Sequence, residues 1–532
     1  MDGLLDVIPE RGDRLLPALS AFLAVGAFPP FHLLIPSFVA LVPVAVWVAD
    51  QNRGTASFRV FQGGVWFGML YFGLLLYWMP LALAAFTWWA FPAYLSVVLV
   101  LAMGAGGFTW ALYRLREGGV PLWVALPLTW TALEWLRAHA PGDLAFPWLG
   151  LGTSLTGYPE LVGAAELVGA RGITLWLALL NGLLAEVVLA ARTRDGLRAS
   201  VRWAVAFALV LSGPAAWGYW RAGTLSIRAI GEVVVVQPNI AAQIRLDGAR
   251  SNDSTVVSLS RLLPEGGGRS PDLVVWPEMT FLGPIESDAA LRARVQAAAE
   301  LWNAPVVFGA IGETRTPGRD PIPLNSAFLT NRDGRLVDFR YDKHRLVPLV
   351  ESLPFQPGAW GEGGRVDSYG NGADWSLGSL GNDARFGVLV CYESTYAGHS
   401  RRLRLEGADF FVNITNDGWF GREPWYTRTA GLWQHPAHLV MRAIEHRVGI
   451  ARAANTGFSL FVDPLGRTYG QTELFRPAVQ RATIYTSDVR TWYTRTGDVA
   501  GWAAVLLTLG LVAMPRLRLV MAPCLRRAAA RD

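Results

Sequence analysis

Three side chains of complementary chemistry occur in the second half of the chain: a carboxylate, Glu278, an amine, Lys343, and a thiol, Cys391. Each lies just beyond the end of a predicted strand, Leu273–Trp276, Leu336–Tyr341 or Phe386–Val390. Ligands of α/β sheets gather beyond the carboxyl ends of the strands. The positions therefore predict that the three groups converge on one site.

A thiol, a carboxylate and an ammonium group together can transfer an acyl group. A cysteine thiolate is a strong nucleophile that forms thioesters, and Glu278 could take the thiol proton and return it to a leaving group. Lys343, with the backbone N–H of Tyr392, could stabilise the thiolate and the oxyanion of the tetrahedral intermediate. The predicted chemistry is nucleophilic acyl transfer, without a metal or a cofactor.

The amine is unusual in this sequence, because Lys343 is the only lysine among 47 basic residues. Ammonium and guanidinium groups differ in size and geometry, so a single lysine in an arginine-rich chain indicates a task that arginine cannot perform. Each residue alone has a plainer interpretation: Lys343 as a surface lysine, Cys391 as a small buried apolar residue, and Glu278 as a helix cap or ion-pair partner. Their combination favours the catalytic interpretation.

The region 226–490 has the composition of a soluble domain in which strands and helices alternate. Such alternation is typical of a layered α/β domain. Helices are predicted at 286–302 and 430–447. The predicted strands are Glu232–Val236, Leu273–Trp276, Val306–Ala310, Ala327–Leu329, Leu336–Tyr341, Phe386–Val390 and Asp409–Asn413.

The rest of the chain is apolar enough to lie in a bilayer. Of 532 residues, 52% are hydrophobic and 17% are charged, and a spanning helix needs about 20 apolar residues. These features predict a membrane domain at 1–225 with seven transmembrane helices, a catalytic domain at 226–490, and a C-terminal transmembrane helix with a cytoplasmic tail at 491–532. The segments of these roughly eight spans are two short helices in 15–49, two in 60–113 that meet near Trp78-Met79-Pro80, and one each near 119–140, 171–191, 203–220 and 499–515.

The placement of arginines predicts the orientation of the spans. If the N-terminus is cytoplasmic, most flanking arginines fall on the inner side, as the positive-inside rule requires. The spans then carry 226–490 to the side of the membrane away from the cytoplasm. The inner arginines are Arg11, Arg14, Arg53, Arg59, Arg114, Arg116, Arg192, Arg194, Arg198 and Arg202, with Arg516, Arg518, Arg526, Arg527 and Arg531 in the tail.

Other kinds of site are not favoured. Cys391 and Cys524 lie in dissimilar surroundings, which argues against a disulfide, and the sequence lacks the basic face with aromatics that nucleic-acid binding needs. The histidines within 435–446 lack an HExxH pattern and are predicted to lie on the surface of a helix or to cap it. Glu134 and Arg137, near the end of a span, are either a snorkelling pair or part of the junction with the catalytic domain.

The sequence around the three reactive groups resembles the nitrilase superfamily. WPE at Glu278, YDKHRLVP at Lys343 and CYE at Cys391 occur in this order, and with the flanking membrane segments the chain is similar to apolipoprotein N-acyltransferases. The similarity covers nearly the whole chain. Further matching stretches are EWLR at 134–137, FPW at 146–148, QPNI at 237–240, NITNDGWFG at 413–421, QH at 434–435, RAIE at 442–445, RAANTG at 452–457 and RTGD at 495–498.

The resemblance implies a fold, a reaction and roles for single residues. The fold is a polytopic α-helical membrane domain joined to a nitrilase-like αββα sandwich. Cys391 would take an acyl chain from a phospholipid, typically phosphatidylethanolamine, and pass it to the α-amine of an S-diacylglyceryl cysteine on an apolipoprotein. Glu278 would be the base and Lys343 the electrostatic partner. Supporting positions are Glu351, Glu393 and Tyr392, and positions that line the substrate are Trp148, Asn416 and Trp419.

The chain departs from the family pattern in two loops. Relatives commonly carry a glycine after the lysine where this chain has Leu349 and Val350, and often a tryptophan where it has Leu246. These changes affect how the first loop moves and remove an aromatic side chain from the second. The residues that match the triad are unchanged.

Two other functions fit parts of the sequence. A membrane-tethered nitrilase-type amidohydrolase would use the same three residues but give its thioester to water. A transporter or lipid-binding receptor would carry charged residues inside its spans, and the first four predicted spans have none.

Overall fold

The computed structural model of the chain describes every residue except 1–8, 53, 85–88, 194–195, 241–247, 263–269, 315–320, 349, 353–368, 382 and 529–532. Leu246 and Leu349, where the sequence departs from the family pattern, and the predicted inner-side residues Arg53, Arg194 and Arg531 lie outside the described residues. The chain forms two units. The first comprises Met1–Tyr77, Phe91–Trp220 and Asp498–Asp532, and the second comprises Trp78–Ala90 and Arg221–Gly497.

The first unit is built of helices that coincide with the predicted apolar segments. Within the described residues, three helices are long and apolar enough to cross a membrane: Ala90–Glu117, Ala165–Ala191 and Gly196–Thr224. The sequence predicts about eight spans, and several of the others are short, such as the 13 residues of Leu15–Ala27. The remaining apolar helices are Leu34–Val39, Val42–Ala49, Ser57–Leu75, Leu122–Ala138 and Val499–Ala528.

Of the two alternatives for Glu134 and Arg137, a snorkelling pair or part of the junction with the catalytic domain, the snorkelling pair is not favoured, because both residues are buried within the first unit. Glu134 pairs with Arg171 at 3.1 Å and accepts the backbone N–H of Leu151 at 2.6 Å. Arg137 donates to the carbonyl of Leu149 at 2.8 Å. These bonds satisfy the backbone of a buried, non-helical segment between two helices, as an apolar environment requires.

The second unit contains two six-stranded sheets. The strands are β1 (Arg228–Gln237), β2 (Leu273–Val275), β3 (Val306–Glu313), β4 (Pro323–Thr330), β5 (Leu336–Asp342), β6 (Leu377–Ser379), β7 (Arg385–Val390), β8 (Phe410–Thr415), β9 (Gly449–Ala454), β10 (Leu460–Val462), β11 (Thr468–Tyr469) and β12 (Ala478–Thr486). Their spatial orders are β12-β1-β2-β3-β4-β5 and β11-β10-β9-β8-β7-β6. The helices of this unit are Met79–Leu83, Gly248–Arg261, Ala289–Glu300, Ala397–Glu406, Gly431–His446 and Trp492–Thr496.

The alternation of side chains along β1 explains the layers. Val233 and Val235 join Val388 and Val412 of the other sheet in one core, while Val234 faces a second core with the helix Ala289–Glu300. Successive side chains of a strand point to opposite faces, so one strand contributes to both cores. The arrangement is the predicted αββα sandwich.

Strand directions bring the reactive positions to one edge. In the first sheet β2 is parallel to β3, and β3–β4 and β4–β5 are both antiparallel, so β5 runs in the direction of β2. In the second sheet β7, β8 and β9 are parallel. The residues after β2 and β5 therefore meet at one end, and so do those after β7 and β8.

Candidate active site

Glu278 follows β2 and is held on several sides. Its Oε1 accepts hydrogen bonds from Lys343 Nζ at 3.0 Å and from the amide of Asn325 at 2.8 Å, and its Oε2 accepts the N–H of Asn416 at 3.1 Å. Its backbone passes so close to β3 that a Cβ on Gly309 would lie 2.7 Å from Glu278 Cα. The carboxylate is therefore fixed in position, with only 4% of the residue exposed.

Lys343 is buried between two carboxylates, with 1% of the residue exposed. Its Nζ lies 3.0 Å from Glu278 and 2.8 Å from Glu351, and the amide of Asn325 bridges the same two carboxylates. Burial by itself lowers the pKa of Lys343, but the negative charges of Glu278 and Glu351 raise it well above its usual value. Lys343 is thus a permanent cation at neutral pH.

Cys391 forms the turn between β7 and a 3-10 turn at Cys391–Thr395. Its φ of 51° lies in the left-handed region that residues other than glycine seldom adopt, as is typical of nucleophiles on sharp strand-to-helix turns. Burial raises the pKa of the Cys391 thiol, as does the charge of Glu278, while Lys343 and a hydrogen bond with Thr415 lower it. The resting group is therefore a thiol, and its proton has to be removed before it can attack.

The charges around Cys391 suit a transfer of that proton to Glu278. The two carboxylates, Glu278 and Glu351, and the ammonium of Lys343 together carry a single negative charge. When the thiol proton moves to Glu278, one carboxylate is neutralised as the thiolate forms. The total charge of the buried site is unchanged, which avoids the cost of burying a new charge.

Glu393 connects the turn at Cys391 to the loop after Lys343. Its buried carboxylate accepts the N–H of Val390 at 2.8 Å, the N–H of His344 at 2.6 Å and the hydroxyl of Tyr341 at 3.1 Å. Burial raises the pKa of Glu393 to about 7, although these donors favour the ionised form. These contacts fix the two loops relative to each other.

The other residues singled out in the sequence lie in different places. Tyr392 follows Cys391 and packs edge-on against Tyr396 at 5.2 Å. Asn416 follows β8 and contacts Glu278 through its N–H, and Trp419 ends the next 3-10 turn, half-buried. Trp148 is buried in the first unit.

Two site residues were not identified from the sequence. Asn325, in β4, joins Glu278 to Glu351, and Thr415, the last residue of β8, contacts the Cys391 thiol. Both are short polar residues inside apolar strands, where a buried side chain needs a partner. That requirement is the only signal that the sequence offers.

The histidines of 435–446 are expected on a helix surface or as helix caps, and the surface position is wrong. His435, His438 and His446 are at most 1% exposed, because the helix Gly431–His446 is covered on all sides. His435 contacts Asp417 at 2.9 Å and the carbonyl of Cys391 at 3.1 Å. Within the described part of the chain, no three His, Cys, Asp or Glu side chains are grouped to hold a metal ion.

Two family models match the chain. The model described as "Apolipoprotein N-acyltransferase N-terminal domain" matches residues 20–183, and the model described as "Carbon-nitrogen hydrolase" matches residues 236–494. The second match contains Glu278, Lys343 and Cys391. The sandwich is thus a nitrilase-like domain, and a separate family model matches the helices before it.

Similar proteins match over almost the full length of the chain. "Apolipoprotein N-acyltransferase" of Geobacter metallireducens is 29% identical over 94% of each chain, and the protein of that name from Bradyrhizobium diazoefficiens is 30% identical over 95% of each chain. Among solved structures, an amidase from Nesterenkonia is 17% identical, covers 52% of this chain and 96% of its own, and has a TM-score of 0.35. On the strength of the full-length relatives, the chain belongs to the apolipoprotein N-acyltransferase family.

Proposed function

We propose that this acyltransferase moves an acyl chain from a phospholipid to the α-amine of an S-diacylglyceryl cysteine at the N-terminus of an apolipoprotein, through a thioester on Cys391. The observation that carries the proposal is the buried cation Lys343, held at 3.0 Å from Glu278 and 2.8 Å from Glu351 and interacting with Cys391. A cation in this position stabilises both the thiolate and the oxyanion of a tetrahedral intermediate. Glu278, Lys343 and Cys391 form the catalytic triad.

In the first half-reaction, Cys391 Sγ attacks the ester carbonyl of a phosphatidylethanolamine-like phospholipid as Glu278 takes the thiol proton. The C–S bond forms and the ester C–O bond breaks. Glu278 returns the proton to the leaving oxygen, which departs as a lysophospholipid. Lys343 and the N–H of Tyr392 face the oxyanion, and Glu351 holds Lys343 in place.

In the second half-reaction, the neutral α-amine attacks the thioester carbonyl. The N–C bond forms, the C–S bond breaks, and Glu278 carries a proton of the amine to the departing sulfur. Cys391 is thereby restored as a thiol. Trp148, Asn416 and Trp419 are proposed to line the substrates.

The domain arrangement is part of the proposal. Residues 1–225 supply seven spans, 226–490 the periplasmic catalytic domain, and 491–532 an eighth span with a cytoplasmic tail. Helices in every predicted segment and the arginine bias support this arrangement. A site at the bilayer surface avoids extracting lipids at about 0.8 kcal/mol per exposed CH₂.

Intact-mass spectrometry tests the first half-reaction directly. Purified protein incubated with phosphatidylethanolamine is expected to gain one acyl chain on Cys391, labile to hydroxylamine and absent in Cys391→Ala. Adding a diacylated lipopeptide should remove the adduct and yield the triacylated peptide. A stable adduct in Cys391→Ala would place the nucleophile elsewhere, and hydrolysis of small amides without lipid would favour an amidohydrolase instead.

A further inference from the structure

A second set of charged residues lies behind the nucleophile. Asp417 follows β8, His435 lies in the helix Gly431–His446, and Arg452 lies in β9. All three are at most 1% exposed. Charged side chains this deeply buried have to compensate one another, because an isolated buried charge is costly.

Asp417 is at the centre of this set. Its Oδ1 lies 2.9 Å from Nδ1 of His435, and its Oδ2 lies 2.5 Å from a guanidinium nitrogen of Arg452. Burial raises the pKa of Asp417, but the charges of Arg452 and His435 outweigh it and lower the pKa below its usual range. Gly457 makes room for the carboxylate, since a Cβ there would lie 2.2 Å from Oδ2.

The hydrogen-bond partners of His435 define its protonation. Nδ1 faces the carboxylate of Asp417, and Nε2 lies 3.1 Å from the carbonyl oxygen of Cys391. Both oxygens only accept, so a proton on each ring nitrogen makes both contacts hydrogen bonds. The hydroxyl of Ser394 donates to the same carbonyl at 2.9 Å and lies 3.3 Å from Nε2, and a guanidinium nitrogen of Arg452 lies 3.3 Å from Nδ1.

We propose that Asp417, His435 and Arg452 are positioning residues for Cys391, in which a doubly protonated His435 holds the carbonyl of the nucleophile and places a net positive charge behind it. This rests on Cys391 being the nucleophile of the proposed function. The set reaches Cys391 by two routes. His435 binds its carbonyl, and Asp417 accepts from Thr415 at 3.1 Å, the residue that contacts the thiol.

Two consequences follow for the nucleophile. The charge-assisted bond to its carbonyl stabilises the left-handed conformation of Cys391, which residues other than glycine seldom adopt. Two cations and one anion also place a net positive charge near Cys391. Once the thiol proton has moved to Glu278, the charges of Glu351 and Lys343 cancel, so this positive charge favours the thiolate. Glu393, which accepts the N–H of Val390, opposes it to the extent that it is ionised.

The test measures the reactivity of Cys391 in full-length protein carrying Cys524→Ser, so that Cys391 is the only cysteine. In His435→Gln we expect iodoacetamide to alkylate Cys391 roughly tenfold more slowly at neutral pH, with the midpoint of the alkylation profile shifted to higher pH. The kcat of acyl transfer should fall while the KM for phospholipid is unchanged.

His446→Gln is the matched control, because His446 is a buried histidine of the same helix that contacts Ser400 and Thr494 instead of Cys391. In this variant, Cys391 should be alkylated at the same rate as in the parent protein. An unchanged alkylation profile in a folded His435→Gln protein would overturn the proposal.

If the variants do not fold, a measurement on the parent protein still tests the proposal. Long-range ¹H–¹⁵N spectra of histidine-labelled protein should show two protonated ring nitrogens for His435, and a neutral ring would overturn the proposal. Neither the alkylation rate nor the NMR spectrum depends on acyl transfer. Absence of an acyl adduct on Cys391 in the parent protein would therefore count against the proposed function alone.

Discussion

Lys343 shows how strongly a buried site constrains a single side chain. Its ammonium group bonds two carboxylates at 3.0 and 2.8 Å while 1% exposed. A guanidinium is planar and larger, and its donors form a fork of fixed geometry. Arginine, which serves at every other basic position of this chain, cannot reproduce these contacts without displacing Glu278 or Glu351.

We therefore expect Lys343→Arg to retain the fold but to slow acyl transfer by about a hundredfold or more. A guanidinium cannot place its donors where the ammonium would stabilise the oxyanion, and that stabilisation is lost. Turnover of phospholipid and lipopeptide by the purified variant measures this effect. Arg402→Lys is the control, because this side chain is 54% exposed. Turnover close to the parent rate in Lys343→Arg would contradict the conclusion that this position requires a lysine.

Glu393 predicts a pH dependence of stability. Its pKa is about 7 in the folded protein, above the value of 4.5 for a free side chain, so folding favours the protonated form. This contribution to stability is fully present below about pH 4.5 and is lost as the pH rises through about 7. The amide of Glu393→Gln does not titrate. Relative to this variant, the free energy of unfolding of the parent should fall by up to about 3 kcal/mol across this pH window and should not fall further above it.

Thermal unfolding of both proteins between pH 4.5 and 8 provides the measurement for Glu393. The comparison cancels the titration of the other carboxyl groups, which both proteins share. A difference in Tm that is constant over the whole range would show that Glu393 is ionised throughout.

Residue type and strand position predict that Glu278, Lys343 and Cys391 meet, because each of these side chains lies just beyond the end of a predicted strand. Asn325 and Thr415 could not be predicted, since their roles depend on which strands become neighbours. The same is true of Asp417 and His435, which lie in recognisable motifs but acquire a function only through contact with the Cys391 turn.

At the scale of elements, several strands rich in β-branched and aromatic residues are predicted by the sequence, although β10 and β12, which also contain such residues, are not. The prediction for Val306–Ala310 is confirmed by β3 and that for Phe386–Val390 by β7. The strand β9, Gly449–Ala454, was missed because alanine, glycine and arginine have low strand propensity. It forms because it pairs along its whole length with β8 inside a closed core.

Close contact between β3 and the chain at Glu278 predicts the effect of a small change. A Cβ at Gly309 would lie 2.4 Å from the nitrogen of Met279 and 2.7 Å from Glu278 Cα, both backbone atoms. Gly309→Ala should therefore destabilise the protein by about 1–3 kcal/mol and lower acyl transfer by displacing the base. Thermal unfolding and turnover measure the two effects.

Gly398→Ala is the control for Gly309→Ala. A Cβ at Gly398 meets nothing within 4 Å, and the residue lies in the helix Ala397–Glu406, where alanine is favoured over glycine by up to about 1 kcal/mol. This variant should be as stable as the parent or more so. Equal stability of the two variants would contradict the close packing at Gly309.

At the scale of the whole molecule, hydropathy locates the helices better than it counts spans. Helices occupy all the predicted apolar segments, yet three meet the length and composition expected of a span within the described residues. Short helices such as Leu15–Ala27, with 13 residues, reach only about 20 Å. Their number of crossings therefore depends on how they pair and tilt, which composition does not encode.

The proposed orientation predicts the behaviour of reporter fusions. Alkaline phosphatase, which is active only outside the cytoplasm, should be active when fused after Thr224. Green fluorescent protein, which fluoresces only in the cytoplasm, should be fluorescent when fused to the C-terminus. The opposite pattern would place the catalytic domain in the cytosol and remove the proposed access to lipoproteins.

The single lysine also makes opening of the site measurable by chemical modification. Lys343 is the only side-chain amine in the protein, is 1% exposed and is ion-paired with Glu278 and Glu351. A succinimidyl ester, which reacts only with a neutral amine, can therefore modify it only after the site opens and these ion pairs break. The modification rate at this one position, read by peptide mapping, reports how often that happens. Phospholipids can be ranked by how far each of them slows that rate, without any engineered label.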